Sequence, residues 1–267
     1  MNTLNIITLR VWGDFACFTR PEMKVERVSY PIMTPSAARG ILEAVFWEPQ
    51  MFYLIDSIRV VKRGRWVSFR RNEVTKVISL DSARAWMRSP EKTTPIHAGG
   101  GAEDGTQRNM LALQEVEYII SAEVRTTPLA DRPGDRPEKY LAEIERRARA
   151  GKCFHRPGLG MREFAADFEW EDDADEALRR RQTELGPGAA NFNEDLGLML
   201  YDVFDHQDRA HGFRWLREEE VVQRDRPRWS RPPIKPKPAF FHARVEQSRV
   251  DCHPGRIRIL TTTSAGN

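Results

Sequence analysis

The chain has 267 residues, 40% hydrophobic and 30% charged, which is long enough for one large domain or two small ones with a packed core. No stretch approaches the roughly 20 apolar residues of a membrane-spanning helix, and the first residues lack the basic start of a signal peptide. The scattered Cys17, Cys153 and Cys252 exclude a disulfide framework and a Cys-x-x-Cys zinc site. We therefore expect a cytoplasmic protein with reduced thiols that needs no metal or other cofactor.

Basic residues are clustered, although the formal net charge is only +3. Residues 59–76 contain seven Lys or Arg and one Glu, and residues 224–258 contain ten Lys or Arg and three acids. Residues 169–176 (EWEDDADE) are almost entirely acidic. Separate basic blocks on a nearly neutral chain favour a polyanionic partner, either RNA or duplex DNA. Any single block is also typical of a solvated charged surface.

The first half of the chain predicts two strands around one helix. Residues 5–12 (NIITLRVW) have the β-branched and aromatic content of a buried strand. Residues 34–47 begin with a Thr-Pro cap and continue with apolar residues at helical spacing. Residues 51–62 predict a second strand, and Gly64 stands where a hairpin would turn into RGRWVSFRR. Residues 79–110, which include three consecutive glycines, predict a flexible insertion.

The second half repeats the strand and helix pattern. Residues 114–126 alternate as a strand does, residues 137–150 predict a helix, and Gly151 stands at its C-terminal cap. Residues 162–170 predict a further strand. The resulting fold class is α+β. Its central unit is a ferredoxin-like, RRM-like βαββαβ domain with a β-hairpin insertion.

This order suggests a division of the chain into three parts. Residues 1–165 form the predicted ferredoxin-like domain, and residues 166–225 form a smaller antiparallel β region. Segments 196–204 and 211–222 are the expected strands of that second region. Residues 226–267 are rich in Pro and Arg at their start and predict a flexible basic tail.

Four segments carry a resemblance to a known family. Read in chain order, the chain resembles CRISPR-associated family 5 proteins of subtype I-C in VWGDFACFTRPEMKVERVSYPIMTPSAARGILEAVFWEP, RRNEV, NMLALQEVEYII and EKYLAEIERRARAGKCFHRPGLGMREF. The resemblance covers most of residues 5–220 and leaves the tail after about residue 225 outside it.

The resemblance implies a role in RNA-guided defence. Members of the subtype cut the repeat of the precursor guide transcript, and the ribose 2′-hydroxyl attacks the adjacent phosphate without a metal. The products are a 2′,3′-cyclic phosphate and a 5′-hydroxyl. The protein would then remain on the 5′ handle as a subunit of the type I-C surveillance complex. Two alternatives are a non-catalytic subunit that binds the handle and a general nucleic-acid binder.

The resemblance also implies the catalytic positions. The family uses a Tyr at the end of the first helix and a Lys-His pair at the start of the second, and these positions correspond to Phe46, Lys139 and Tyr140. Phe46 has no hydroxyl and cannot exchange a proton. Tyr140 is able to, although its reference pKa of about 10 makes it a poorer base than His at neutral pH. We expect Lys139 and Tyr140 to be the catalytic pair.

The predicted RNA contacts are basic side chains near the first strand-to-helix connection, on the hairpin and in the loop after the second helix. These residues are Lys24, Arg27, Arg39, Arg70, Arg71 and His155. A helix rises about 1.5 Å per residue, so roughly 18 Å separates Lys139 from the start of that loop. His155 is therefore expected to order the turn or to contact RNA rather than to act as the missing base.

Overall fold

The computed structural model of the protein describes residues 6–97, 99, 101–204 and 236–261. It is an α+β structure dominated by one largely antiparallel sheet. The strands are β1 (Ile6–Ala16), β2 (Arg27–Val28), β3 (Met51–Lys62), β4 (Arg65–Val74), β5 (Gly105–Thr126), β6 (Asp167–Trp170), β7 (Glu194–Asp202), β8 (Ala239–Glu246), β9 (Arg249–Asp251) and β10 (Ile259–Thr261). The helices are α1 (Pro35–Val45), α2 (Leu80–Arg88), α3 (Pro137–Arg149) and α4 (Ala174–Leu185). No helix in these described ranges is long and apolar enough to cross a membrane.

The sheet is organised around β5, which is 22 residues long. The strand order is β10-β8-β9-β3-β5-β1-β6, with β7 beside β8 and with β2 and β4 beside β5. The two-residue strand β2 runs parallel to β5, and the other pairs are antiparallel. Because β5 pairs with β1, β2, β3 and β4, the centre of the sheet is positioned relative to this one strand.

The hairpin predicted at Gly64 is wrong. The strands on either side of this glycine, β3 and β4, pair end to end with the single long strand β5. Gly64 has φ +82° and faces Glu115, which has φ +60°, so the positive φ serves a kink and not a reversal. A Cβ at position 64 would lie 2.8 Å from the carbonyl oxygen of Gln114, so glycine is required there. The chain reverses instead through residues 75–104.

The flexible insertion predicted for residues 79–110 is also wrong in part. The segment contains α2, whose N-cap Ser79 accepts a hydrogen bond from the backbone N–H of Ser82. Strand β5 begins at Gly105, inside the predicted insertion. None of the side chains of α2 is buried. The helix is therefore not held by packing in the core, which is what the apolar spacing of a predicted helix indicates.

The two main helices are confirmed, and their caps explain their ends. The Thr34 hydroxyl accepts a hydrogen bond from the N–H of Ala37 at the start of α1. The α3 helix ends at Arg149, and Gly151 follows its C-cap Ala150 with φ +63°. The N–H of Lys152 donates to the carbonyl of Arg147 at 2.9 Å. Helices α1 and α3 contact each other and bury their apolar faces in the main core.

Helix α4 covers the opposite face of the sheet and was not predicted. Ala177 and Leu178 pack against Ile119 of β5, whereas the next residue, Ile120, belongs to the core under α1 and α3. The acidic block 169–176 that precedes and begins this helix provides its N-cap, Asp173, and its acidic first turn. The block therefore has a structural function that charge counting alone did not indicate.

The C-terminal segment departs from the predicted flexible tail. Residues 239–261 form β8, β9 and β10, and along β8 buried residues such as Phe241 and Val245 alternate with exposed ones. This period-2 pattern is typical of a strand with one buried face. The flexible tail was predicted from the Pro- and Arg-rich composition of the stretch that precedes it. Strand β7 confirms the strand predicted at 196–204, whereas the strand predicted at 211–222 lies outside the described residues. The domain boundaries at 165 and 225 stay predictions.

The loop between α3 and β6 lies against the end of β1. The N–H of Cys17 donates to the carbonyl of Leu159 at 3.0 Å. Gly160 has φ +83°, and a Cβ there would overlap the carbonyl oxygen of Cys17. This close approach fixes the loop on the same side of β1 as the start of α1. The strand predicted at 162–170 is wrong in its first half, because β6 covers only Asp167–Trp170 and the residues before it belong to this loop.

Replacing Phe241 by Ala tests whether the C-terminal strands are part of the core. Phe241 is fully buried, so Phe241→Ala should lower the free energy of unfolding by roughly 3–5 kcal/mol in a urea titration. The matched control is Phe154→Ala at an exposed phenylalanine, which should change it by no more than about 0.5 kcal/mol. Equal effects of the two substitutions would contradict the assignment of β8 to the core.

Replacing Gly160 by Ala tests the close approach of the loop to β1. Gly197 also has a positive φ, +70°, but a Cβ there meets open space. Gly197→Ala should therefore cost about 1–2 kcal/mol of unfolding free energy for backbone conformation alone. Gly160→Ala should cost more because of the added overlap with Cys17. Equal costs would show that the loop moves away freely.

Candidate functional site

An open groove with a volume of about 800 Å³ lies between the outer face of α1 and the loop that follows α3. The wall contributed by α1 consists of the small residues Ser36, Ala37, Gly40 and Ala44. These side chains leave the helix surface smooth and accessible. The loop 155–162 forms the opposite wall.

The loop wall of the groove is cationic. Arg156 and Arg162 are both exposed, and no carboxylate of the described residues lies within ion-pair distance of either. His155 is exposed beside them, with its ring edge-on to Phe154. Unpaired guanidinium groups along a groove are suited to binding the phosphates of a nucleic-acid strand.

The loop is held in place by the C-terminal end of α1. The backbone N–H groups of Phe154 and His155 both donate to the carbonyl of Ala44 at 2.9 Å. These hydrogen bonds satisfy a helix-terminal carbonyl that would otherwise lack a partner. Ala44 lies two residues before Phe46, so the loop returns to the end of α1 near that position. From the sequence, the loop was placed only by its distance from Lys139 along α3, and that distance did not indicate that the loop contacts α1.

The predicted catalytic pair lies in the first turn of α3, together with an acid. The Lys139 Nζ atom is 2.9 Å from Asp135 Oδ1, and the Tyr140 hydroxyl donates to the same oxygen at 2.8 Å. The Lys139 ammonium also lies 4.9 Å from the centre of the Tyr140 ring. The two residues are therefore adjacent in space as well as in sequence, and Asp135 joins them.

The environment of Tyr140 argues against proton abstraction by its phenol. Tyr140 is fully buried, and burial raises its pKa, with a further rise from the hydrogen bond to Asp135. The hydrogen bonds from Lys139 and Tyr140 lower the pKa of the Asp135 carboxyl. At neutral pH the phenol is therefore protonated and donates to a carboxylate. A proton donor in that arrangement does not serve as a base.

Phe46 is in the position implied by the resemblance but has a packing role. Its side chain is buried, and the Arg147 guanidinium lies 5.1 Å from the centre of its ring. Its backbone carbonyl accepts a hydrogen bond from the Tyr53 hydroxyl at 2.6 Å. The charge of Glu48, two residues later, contributes to the raised pKa of Tyr140. The segment after α1 and the start of α3 are therefore neighbours.

Arg39, which was predicted to contact RNA, has a structural role instead. Its side chain is 12% exposed, with Nε 2.8 Å from Asp202 Oδ2 on β7 and one terminal nitrogen 2.7 Å from Glu43. Burial alone would lower the pKa of this guanidinium, but the two carboxylates raise it overall. The ion pair attaches α1 to β7, and an RNA contact would require breaking it.

The other predicted RNA contacts do not share one face, because Arg70 and Arg71 are successive residues of β4 and point to opposite sides of that strand. Lys24 and Arg70 are exposed, on the loop after β1 and on β4. Burial raises the pKa of the Cys17 thiol, and the charges of Arg27 and Arg71 partly oppose that rise. Both guanidinium groups are therefore near Cys17, the residue that contacts Leu159 of the loop.

Arg71 is 3.7 Å from Glu163, which follows Arg162 in the chain. Sequence reasoning did not select Arg156 or Arg162. The signal that could have identified them is the Pro-Gly-Leu-Gly turn between two arginines. Among the residues that the structure describes, no cluster of three or more His, Cys, Asp or Glu side chains could hold a metal ion.

Comparisons of sequence identify the family. The family model described as CRISPR-associated protein (Cas_Cas5), in its Cas5d form, matches residues 6–250. A CRISPR pre-crRNA endoribonuclease Cas5d from Mannheimia succiniciproducens is 42% identical over 211 residues, which cover 79% of this chain and 90% of that protein. A protein of the same description from Thermus thermophilus is 36% identical over 266 residues, 98% of this chain and 97% of that protein. The match extends beyond residue 225, where the resemblance was expected to end.

Solved structures show the same fold. A CRISPR-associated protein has a TM-score of 0.53 at 18% identity, with 92% of this chain and 90% of that chain covered. A functionally uncharacterized protein from Streptococcus mutans has a TM-score of 0.55 at 19% identity, with 97% of each chain covered. The family model spans nearly the whole sequence, and both relatives are well above 30% identical. The chain therefore belongs to the CRISPR-associated Cas5 family, and within it to Cas5d, the type I-C member.

Proposed function

We propose that the protein is an endoribonuclease that cleaves the repeat of the precursor guide RNA without a metal. The protein then stays on the 5′ handle as a subunit of the type I-C surveillance complex in the cytoplasm. The names of the two relatives support the substrate class. The observation that carries the proposal is the half-exposed Lys139 ammonium in the first turn of α3, held by Asp135. A positioned ammonium group stabilises phosphate charge.

The proposed reaction is an in-line displacement at phosphorus. The ribose 2′-oxygen forms the new bond to phosphorus, and the bond to the 5′-oxygen breaks. Lys139 stabilises the negative charge that develops on the phosphate oxygens. Phe46 and Tyr140 do not take the 2′-hydroxyl proton, so we assign this proton to solvent water, which reaches the half-exposed Lys139. Solvent water also supplies the proton that converts the leaving 5′-oxygen into the 5′-hydroxyl. A positioned cation without a positioned base predicts slow turnover.

The groove supplies the proposed track for the RNA strand. Arg156, Arg162 and His155 would contact backbone phosphates along the outer face of α1, which has no bulky side chain to obstruct the strand. Arg27 and Arg71, which both lie near Cys17, extend the basic surface from the groove towards β4. Lys24 is exposed on the loop after β1, and Arg70 is exposed on the other face of β4. The proposal assigns these side chains to binding and to the orientation of the repeat.

The finer fold assignment is part of the same proposal. The β1-α1-β3 and β5-α3-β6 units interleave, because their strands lie in the order β3-β5-β1-β6. All adjacent pairs among them are antiparallel, and α1 and α3 contact each other. This arrangement supports a ferredoxin-like βαββαβ unit, the frame of many RNA-binding domains.

A second candidate function is a non-catalytic subunit that binds the 5′ handle. The observation in its favour is that neither Phe46 nor Tyr140 is able to accept a proton at neutral pH. The same groove and cations would then bind RNA without cutting it. General binding to RNA or duplex DNA through the basic surface predicts no preference for the repeat over a scrambled sequence.

Lys139→Ala tests the catalytic proposal. In EDTA, the wild-type protein should cut its own repeat RNA at one position and leave a 2′,3′-cyclic phosphate. Removing the ammonium should slow cleavage by about 100- to 1,000-fold, because one donor to the developing charge is lost. The readout is single-turnover cleavage on a denaturing gel.

The control is Lys92→Ala, which removes an exposed lysine from the 75–104 connection and should leave the rate unchanged. Tight repeat binding without any wild-type cleavage would overturn the endoribonuclease and establish the scaffold function. Equal binding of repeat and scrambled RNA would favour a general binder.

Arg156→Ala and Arg162→Ala test the track. Each phosphate contact to single-stranded RNA contributes about 0.7 to the slope of log affinity against log salt. Each substitution should lower both the affinity and that slope, and the double variant should lower the slope by roughly twice as much. Arg179→Ala, on α4 at the opposite face of the sheet, is the matched control. An unchanged slope in the double variant would remove the groove from the RNA path.

A further inference from the structure

The Lys139 ammonium is held from two directions. Its side chain is 53% exposed, and a free lysine of that exposure would occupy many rotamers. Here Nζ lies 2.9 Å from Asp135 Oδ1 and 4.9 Å from the centre of the Tyr140 ring. A carboxylate and an aromatic face both attract an ammonium group, so the two contacts reinforce one position.

Asp135 is itself fixed. Its side chain is only 4% exposed, and its backbone N–H donates to the carbonyl of Arg132 at 2.9 Å in the loop before α3. The Tyr140 hydroxyl donates to the same Oδ1 atom that accepts from Lys139. The loop therefore holds the backbone of Asp135, and the buried phenol holds its carboxylate through Oδ1.

Tyr140 connects this arrangement to the core. It is fully buried on the same face of α3 as Ile144 and Ala148. A phenol in this setting has few alternative rotamers, because the surrounding core is close-packed. The core therefore holds Tyr140, the Tyr140 hydroxyl holds the Asp135 carboxylate, and this carboxylate holds the ammonium of Lys139.

We propose that Asp135, fixed by Tyr140, is a positioning residue that holds the Lys139 ammonium against the RNA phosphate. This inference rests on the proposed function. It gives Tyr140 a role that requires no proton transfer. It also explains how a half-exposed lysine on a helix end is kept in one place before RNA binds.

The first test compares Asp135→Asn, Tyr140→Phe and Tyr118→Phe in repeat cleavage. Asparagine keeps the shape and one acceptor oxygen but removes the charge. Asp135→Asn should lower kcat by about 10-fold or more and change KM by less than about 2-fold, because an orienting interaction is lost and not an RNA contact. Tyr140→Phe should lower kcat by about 3- to 10-fold. Tyr118 is another fully buried tyrosine, so its variant controls for loss of a core hydroxyl.

The second test uses chemical rescue, which a purely structural role would not affect. Added ethylammonium should partly restore cleavage by Lys139→Ala, because the space beside the Asp135 carboxylate and the Tyr140 ring accepts a small cation. In the double variant Lys139→Ala/Asp135→Asn, rescue should need an ethylammonium concentration about 10-fold higher or more. Equal rescue of the two variants would overturn the positioning role.

A third measurement is independent of cleavage. In RNA-free protein labelled with ¹⁵N-lysine, the ammonium resonance that Lys139→Arg removes should be sharp in the wild type and in Tyr118→Phe. It should vanish or broaden in Asp135→Asn. An unchanged resonance in Asp135→Asn would overturn the proposal, even if that variant cleaved poorly through loss of stability.

A wild type without cleavage but with an Asp135-dependent resonance would refute the endoribonuclease and leave the positioning role supported. Normal cleavage by Asp135→Asn would refute the positioning role and leave the endoribonuclease supported.

Discussion

The pairing of the long strand β5 with its neighbours is the constraint on which the remaining structure depends. It pairs with β1 along one edge, and with β3 and then β4 along the other. Its alternating side chains face α1 and α3 on one side and α4 on the other. The end of β1 that carries Cys17, and therefore the loop wall of the groove, is positioned through this pairing. A change of register along β5 would move every one of these elements together.

Buried ion pairs join the layers around this strand. Glu117 of β5 accepts hydrogen bonds from Arg10 of β1 and Arg181 of α4. Burial alone would raise the pKa of Glu117, but the two guanidinium groups lower it overall. Arg39 and Asp202 make a similar link between α1 and β7. These charges are satisfied inside the protein, so Arg10, Arg39 and Arg181 join elements of the fold and do not add to an open basic surface.

The sequence predicted the parts of the fold that local signals specify. Helices α1 and α3 were correct because a Thr-Pro cap, a glycine stop and an apolar period all lie within one segment. Gly64 was misread because a positive φ marks a kink as readily as a turn, and only the partner strand distinguishes the two. The Arg39 pair could not be predicted, since Asp202 lies 163 positions away. Lys139 was selected by resemblance, but the role of Asp135 depends on the loop that brings it to Tyr140.

The late position of β8 and β9 in the chain has a consequence for biosynthesis. Val250 of β9 pairs with Ile58 of β3, and β8 is the partner of β7. Until the ribosome has completed these strands, the outer edge of β3 and the whole of β7 lack the partners described here. From the synthesis of β3 until that of β9, the nascent chain thus lacks a partner for one apolar sheet edge, which is the kind of surface that chaperones bind and that pairs wrongly with other chains. Completion of this edge of the sheet is therefore a step that follows translation of β8 and β9 and cannot precede it.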